Sequence, residues 1–220
     1  MNYEKAEKRL SDMSEKEALS DYDYEFLNEI AHSDDMCLKC DTADLLIDRT
    51  TKQAVEILKT LSNDNDAAVR ASAYDNMWVF EKQDFDVILR NAVVCEKDGT
   101  ARSYAICSLY DLYSENSCDT AGLIAFMHKL YRTEKDRRCK LQYLRNFYLS
   151  GETDKLSEII GYLEDKDYRM RITVVNTISE MLNKENKEVL LSVAKKRLKS
   201  EKSVAVKASL EKFLSDAEYM

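Results

Sequence analysis

The sequence predicts an all-α protein in which about six helix-turn-helix repeats stack into an α-solenoid behind an N-terminal capping helix. A period of 31 to 38 residues is the first reason, because helical solenoids repeat at this length. Composition is the second: the 220 residues include no proline and four glycines, which favours helix over turn-rich β structure. The period is marked by an aspartate followed four residues later by a basic residue, at Asp35/Lys39, Asp66/Arg70, Asp98/Arg102, Asp136/Lys140 and Asp167/Arg171, with a degenerate copy at Ser203/Lys207.

Each marker aspartate stands where the N-cap of a helix is expected. Its carboxylate can accept hydrogen bonds from the otherwise unpaired N–H groups of the first turn. Residues three, seven and eleven positions after each marker are mostly apolar, and this spacing places them on one face of a helix. The pattern therefore predicts six second helices, with a buried stripe that begins at Leu38 and ends at Leu214.

Apolar periodicity between these segments predicts the first helix of each repeat. Polar breaks such as Ser62–Asn65 are too short to be domain linkers and supply the turn inside each pair. We expect one solenoid domain, with residues 1–18 as the capping helix, 19–214 as six repeats and 215–220 as a tail, and a longer loop at Ser114–Thr120. The predicted first helices are Leu19–His32, Lys52–Leu61, Phe85–Val94, Ala121–Tyr131, Lys155–Leu163 and Glu188–Leu198.

Three of the second helices resemble the second-helix signature of HEAT repeats. They read Asp-x-x-Val-Arg-x-x-Ala at 66–73, Asp-x-x-Ala-Arg-x-x-Ala at 98–105 and Asp-x-x-Met-Arg-x-x-Val at 167–174. The resemblance covers residues 19–214 and implies a right-handed superhelix whose second helices line a concave surface. It implies no single activity, because HEAT-like repeats serve as protein-binding scaffolds, as chromophore-lyase relatives and in alkylpurine DNA glycosylases. The chain departs from the family in lacking the proline that is common in the first helix.

The recurring acid-base pairs favour a structural interpretation. Stacking parallel repeats brings the basic residue of one repeat near the capping aspartate of its neighbour, where a charge-assisted hydrogen bond can form. We therefore expect the ten residues of the five complete pairs to hold the repeats together rather than to bind a ligand.

The opposite face of the second helices is the predicted binding surface, because the resemblance implies that this face lines the concave side. Tryptophan and tyrosine there would anchor a partner, and the carboxylates around them would favour a basic one. The alternative is that Trp78, Tyr110 and Tyr148 pack against the next repeat. The candidate partner-binding residues are Asp44, Asp75, Trp78, Tyr104, Tyr110, Asp111, Arg145 and Tyr148, with Asp41, Asp48, Asn176 and Glu180 on the same predicted face.

Catalytic and metal-binding motifs are not apparent in the sequence, so we predict neither an enzyme nor a cofactor or metal site. Cys37 and Cys40 form a lone CxxC without the further ligands that a zinc site needs. The six cysteines are expected to be buried, reduced thiols that pack inside helices. His128 is expected at a surface or seam position rather than in a catalytic site.

Charge and hydropathy limit the partners. The formal charge of −8 repels polyphosphate unless the basic residues gather on one face. No stretch approaches about 18 consecutive apolar residues, and the N-terminus lacks the apolar core of a secretory signal. We therefore expect a cytoplasmic protein that binds neither nucleic acid nor membrane.

The leading hypothesis is a non-catalytic scaffold or adaptor that captures a protein or peptide through a basic segment. Small acidic bacterial helical-repeat proteins of this kind include adaptors and immunity proteins that neutralise a toxin, an analogy at the level of fold. One alternative is a DNA-binding protein resembling the alkylpurine DNA glycosylases, against which the acidic face argues. A second alternative, a chromophore-lyase relative, rests on the shared repeats alone. The partner's identity and the oligomeric state stay open.

Overall fold

The structure, a computed structural model, describes residues 3–47 and 49–218. These residues form thirteen α-helices and two short 3₁₀ turns, with no β-strand among them, so the predicted all-α class is confirmed. The helices are α1 (Tyr3–Ser14), α2 (Asp21–Ala31), α3 (Met36–Leu45), α4 (Lys52–Leu61), α5 (Ala67–Asp75), α6 (Lys82–Cys95), α7 (Gly99–Glu115), α8 (Ala121–Tyr131), α9 (Arg137–Leu149), α10 (Leu156–Gly161), α11 (Tyr168–Glu180), α12 (Lys187–Ser200) and α13 (Val204–Glu218).

The chain divides into two compact units, Met1–Leu123 and Ile124–Met220. In the first unit α3, α5 and α7 pack side by side, α1 packs on α3, and α2, α4 and α6 each lie against the helix that follows. In the second unit α11 packs between α9 and α13, α10 contacts both α9 and α11, and α12 lies against α13. Each unit is thus an array of helix pairs. A single solenoid domain stays a prediction.

The five marker aspartates are N-caps, as predicted. Each has an extended backbone and a carboxylate that accepts at least one N–H of the first turn, in α3, α5, α7, α9 and α11. Asp98 Oδ1, for example, accepts from Thr100 N at 2.8 Å and from Ala101 N at 2.9 Å. Each such cap contributes about 1 kcal/mol, because it satisfies a donor that the helix itself leaves unpaired.

The predicted apolar stripe is buried in both units. Residues three, seven and eleven positions after each of the first five markers are at most 2% exposed. In α13 the first two of these positions are fully buried, and Leu214 is half-buried. The stripe includes one polar member, Thr42, whose buried hydroxyl has no hydrogen-bond partner among the described residues. The helix periodicity therefore identified the core face correctly.

Several helix boundaries differ from the predicted ones, most of them by one to three residues, and three differences change the description of the repeats. In place of a single helix over Lys155–Leu163, only α10 is α-helical, and 3₁₀ turns at Thr153–Lys155 and Tyr162–Glu164 flank it. Gly161, at the end of α10, lowers the helix propensity there. The long third period is taken up by α7, which reaches Glu115 and leaves a loop of only residues 116–120. α13 continues past the predicted start of the tail.

Three of the predicted basic residues, Lys39, Arg70 and Arg171, join consecutive helix pairs, although not through the capping aspartates as predicted. Their partner is the acidic residue two positions before the next cap. Arg70 binds Glu96 twice, with Nε–Oε2 at 2.7 Å and Nη2–Oε1 at 2.9 Å. Lys39 Nζ likewise lies 2.7 Å from Asp64 Oδ2. The cap carboxylate is already engaged by the N–H groups of its own helix, which leaves the earlier acid to receive the base.

The same acidic residue also holds the cap that follows it. Glu96 Oε1 accepts the backbone N–H of Asp98 at 2.9 Å, while Arg70 Nη1 donates to Asp64 O at 2.8 Å in its own turn. The Arg70 guanidinium thus joins two successive turns. We call the pairing of a base with the acid two positions before the next cap the turn-to-turn link. The matching bonds from cap N–H to acid join Asp66 to Asp64, Asp136 to Glu134, Asp167 to Asp165 and Ser203 to Glu201.

Arg102 donates hydrogen bonds to the turn at the start of its own helix. Its Nη1 donates to the backbone, to Glu96 O at 2.7 Å and to Lys97 O at 3.4 Å. Both carbonyls belong to the turn just before Asp98, the cap of its own helix. A helical side chain points back toward the N-terminus, so an arginine one turn after the cap reaches these carbonyls directly. Arg102 therefore closes the turn that begins α7, as Arg70 does for the turn that begins α5.

The link from α9 begins at a different residue from the predicted Lys140. Arg137, three residues earlier in the chain, forms the ion pair with Asp165. The Lys140 ammonium lies 6.0 Å from the centre of the Tyr131 ring instead. The acid two positions before the next cap is therefore the same in this repeat as in the others. The base that pairs with it lies three residues earlier than predicted, almost one helical turn.

The most buried link joins Arg171 to Glu201, whose side chains are 9% and 0% exposed. Arg171 Nε and Nη2 lie 2.8 and 2.7 Å from the two Glu201 oxygens, and Arg197 Nη2 adds a bond of 2.8 Å. The hydrogen bonds from Arg171 outweigh burial and hold the pKa of Glu201 far below its ordinary value of 4.5. Because the pKa of Glu201 is lower in the folded chain than in the unfolded chain, the ionised carboxylate stabilises the fold fully above pH 4.5. This contribution is lost as the pH falls toward the folded-state pKa.

Replacing Arg171 with alanine is expected to lower the free energy of unfolding by about 3 kcal/mol, because the Glu201 charge stays buried without its main partner. Arg169→Ala, at an exposed position of the same helix, should change it by less than about 0.5 kcal/mol. Urea unfolding followed by circular dichroism measures both. The Arg171→Ala deficit should shrink as the pH falls below 4.5. Equal stability of the two variants at pH 7 would contradict the link's structural role.

Candidate functional site

Four acidic residues predicted to bind a partner lie on three helices of the first unit. On α3, Asp41 and Asp44 are exposed. Asp75 is exposed at the end of α5, and Asp111 is half-buried on α7. Tyr104, also on α7, is 40% exposed. The three helices pack side by side, and we call these five residues on them the acidic face.

Asp44 is held in place by the neighbouring helix pair. Asn76 Nδ2 donates to Asp44 Oδ1 at 3.0 Å and to Ser72 O at 2.8 Å, so the amide bridges α3 and the end of α5. Since the amide is neutral, it orients the carboxylate without cancelling its charge. Asp44 therefore adds a fixed negative charge to the acidic face.

The Asp41 carboxylate lies in an unfavourable environment. Partial burial, followed by the charges of Asp44, Glu7 and Asp35, raises the pKa of Asp41 above 3.8. A raised folded-state pKa means that the ionised group destabilises the fold, and this cost appears as the pH rises through the pKa. A cation beside Asp41 would relieve the repulsion.

Two predicted aromatic anchors are buried rather than presented to a partner. Tyr110 is 6% exposed and Tyr148 is 9% exposed. The hydroxyl oxygen of Tyr148 accepts a hydrogen bond from Asn186 Nδ2 at 2.9 Å. Both tyrosines lie twelve residues after their marker, directly beside the core stripe at position eleven. Small rotations of the helix decide whether such a position faces the core or solvent, and here it faces the core.

Trp78 is not on a helix face at all. α5 ends at Asp75, so Trp78 lies in the turn that follows, where it is half-buried. The predicted groove residue Asp48 lies outside the described residues. Of the predicted aromatic platforms in the first unit, Tyr104 is the one that the structure exposes.

Arg145 serves as an internal ion-pair partner in the second unit. Its side chain is 9% exposed, with Nε 2.9 Å from Glu180 Oε2 and Nη1 3.1 Å from Asn146 Oδ1. Asn176 and Glu180 are exposed, as the predicted face requires. Because Arg145 and Tyr148 are buried, the candidate residues of the second unit do not form an exposed aromatic surface.

The two units carry opposite net charge. Residues 1–123 contain 26 acidic and 13 basic side chains, a formal charge of −13. Residues 124–220 contain 15 acidic and 20 basic side chains, a formal charge of +5. The total of −8 hides this difference. Counting charge along the chain would have found the asymmetry, but the boundary between the units comes from the structure.

The cysteines correct the prediction that all six thiols are buried. Cys139 is buried, whereas Cys37 and Cys95 are exposed and the other three are half-buried. Burial raises the pKa of the Cys40 thiol, although a hydrogen bond with Ser72 opposes the change. This direction is opposite to the activation that a redox-active CxxC requires.

His128 lies in the seam between α8 and α9. Its ring stacks on Phe147 with centroids 3.9 Å apart, and Nε2 lies 2.6 Å from Glu152 Oε1. These contacts tie the histidine to packing within the second unit. In the described part of the chain, no group of three or more His, Cys, Asp or Glu side chains is placed to hold a metal ion.

Comparison with known proteins adds no identification: no family model matches the sequence, and no curated protein matches it. Within residues 3–47 and 49–218, no helix combines the length and apolar character needed to cross a membrane. The HEAT resemblance therefore stays a prediction carried by the repeated motif.

Alkylation under native conditions should distinguish the cysteines. Iodoacetamide at pH 8 is expected to modify Cys37 and Cys95 first, Cys40 more slowly because its thiol ionises at higher pH, and Cys139 only after unfolding. Peptide mass spectrometry over a time course measures the order. Faster labelling of Cys40 than of Cys37 would show an activated thiol and contradict the structural interpretation of this CxxC.

Proposed function

We propose that the protein is a non-catalytic binding module, a right-handed α-solenoid of six HEAT-like repeats, that captures a protein or peptide through a basic segment. The acidic face is the binding surface. The observation that carries the proposal is the exposure of Asp41, Asp44 and Asp75 on adjacent helices, with the exposed ring of Tyr104 on the next helix.

Net charge supports the choice of partner. The first unit's formal charge of −13 attracts a basic segment and raises the rate of encounter. Each exposed ion pair contributes only about 0.2 to 1 kcal/mol, so affinity needs several contacts together. The Tyr104 ring adds apolar area with a polar tip, the combination found in interface anchors.

The turn-to-turn links draw the nearby bases away from the acidic face. Lys39 on α3 is paired with Asp64, and Arg70 on α5 is paired with Glu96. Both bases therefore act at the turns, at the start of their helices, rather than on Asp41 and Asp44 further along α3. The negative charge of these two carboxylates is available to a partner.

An adaptor or an immunity-type protein acting in the cytoplasm would use such a surface. The same carboxylates repel the phosphates of duplex DNA, which disfavours the glycosylase-like alternative. No arrangement of the described side chains favours a chromophore-lyase activity over binding.

Charge reversal on the acidic face tests the proposal. With fluorescein-labelled octalysine as the probe, we expect Asp75→Lys to weaken binding by about fivefold, and Tyr104→Ala by about threefold. Fluorescence anisotropy at several salt concentrations measures the affinity, which should fall as salt rises. A labelled DNA duplex of about 20 base pairs should bind more weakly than octalysine.

Glu29→Lys is the matched control, because Glu29 is exposed on α2, outside the acidic face, and carries the same charge change. It should leave the affinity for octalysine within about twofold. If Glu29→Lys weakens binding as much as Asp75→Lys, only net charge matters and the acidic face is not the site. Tighter binding of the DNA duplex would overturn the choice of a basic protein partner.

A further inference from the structure

We propose that the cleft between α1 and α3 is the anchor pocket for a single lysine or arginine side chain of the bound partner. This inference rests on the proposed function and extends the acidic face onto α1. The cleft has a volume of about 390 Å³. Asp41 and Asp44 line it and also belong to the acidic face.

The apolar part of the cleft comes from two leucines. Leu10 of α1 is 6% exposed, and Leu45 of α3 is half-buried. Ser11 and Ser14 line the α1 side, and Ser14 Oγ donates to Ser11 O at 2.7 Å, which satisfies that hydroxyl within the helix. The methylene stem of a long side chain can cover the leucines while its charged end stays at the rim.

Three carboxylates line the rest of the cleft: Glu7 from α1 and Asp41 and Asp44 from α3. Their repulsion contributes to the raised pKa of Asp41, after partial burial. Among the described residues, no ion pair joins any of the three to a basic side chain. The cleft therefore combines an apolar lining with negative charge that the protein itself leaves uncompensated.

Two basic residues close to the cleft in sequence, Arg9 and Lys39, are held elsewhere. The Arg9 guanidinium is 3.7 Å from Asp23 and stacks over the Phe26 ring at 4.0 Å. Lys39 is held by Asp64 in its turn-to-turn link. Neither competes with a partner's side chain for the carboxylates of the cleft.

Tyr3 adds an aromatic ring beside the same charges. It is 43% exposed near the start of α1, and the Glu7 carboxylate is the first cause of its raised hydroxyl pKa, followed by burial and by more distant charges that include Asp41.

Lysine and arginine are the side chains that match both parts of the cleft. A purely apolar side chain would cover Leu10 and Leu45 but desolvate the carboxylates without pairing them. A small inorganic cation would pair the carboxylates but leave the leucines uncovered. The joint requirement for an apolar stem and a positive end excludes both.

Filling the cleft separates this inference from the wider proposal. Ser11→Phe places a ring in the cleft without changing charge, and it should weaken octalysine binding by about fivefold or more in the anisotropy assay. Ser192→Phe, at an exposed position of α12, is the control and should bind as the wild type does. Asp41→Asn should weaken binding by about twofold to fivefold. Octalysine should also shift the methyl NMR signals of Leu10 and Leu45.

The outcomes distinguish the two proposals. If Asp75→Lys weakens binding but Ser11→Phe and Ser14→Phe do not, the anchor pocket is overturned and the acidic face stands. If Ser11→Phe or Ser14→Phe weakens binding and Asp75→Lys does not, the pocket stands and the wider face is overturned. If octalysine does not bind the wild-type protein, both are overturned. Circular dichroism checks that each variant folds, and Ser14→Phe serves if Ser11→Phe does not.

Discussion

The turn-to-turn link is the interaction on which the rest of the structure depends. At a turn inside a helix pair, one acidic side chain accepts the N–H of the capping residue and also pairs with a base from the preceding helix pair. Glu96 does both, through Asp98 N and the guanidinium of Arg70. A base that also donates to carbonyls of its own turn, as Arg70 does, fixes the spacing of consecutive pairs. Packing of the apolar stripes then follows from that spacing.

The link also shapes the surface charge of the first unit. Its bases are drawn to the turns, where Lys39 and Arg70 neutralise acids that are themselves structural. Asp41 and Asp44, further along α3, have no such partner built into the motif. Residues 1–123 contain 26 acidic and 13 basic side chains, an excess of negative charge to which the exposed Asp41, Asp44 and Asp75 contribute. Asp41 and Asp44 also line the cleft with α1. Stability and binding thus use different acids.

Sequence periodicity located the core but could not assign the aromatic residues beside it. Positions three, seven and eleven after each marker are central to the buried stripe, so modest rotation of a helix leaves them covered. Tyr110 and Tyr148, one residue beyond position eleven, lie at the edge of the stripe, where contacts with other segments decide their exposure. The Tyr148 hydroxyl meets Asn186, 38 residues away, and nothing local in the sequence signals that bond. The prediction that Trp78 lies on a helix face was wrong for a different reason, since α5 ends before this residue.

By itself, the sequence determined the helical class, the capping aspartates and the buried stripe, because each depends on interactions within one helix or on a period of a few residues. The tertiary structure decided which acid each base meets, since those partners lie 25, 26 and 30 residues apart for Lys39, Arg70 and Arg171. It also decided that Tyr104 is exposed while Tyr110 is buried, and that α1 and α3 enclose a cleft. These features depend on how helices distant in sequence pack together, which composition and spacing do not specify.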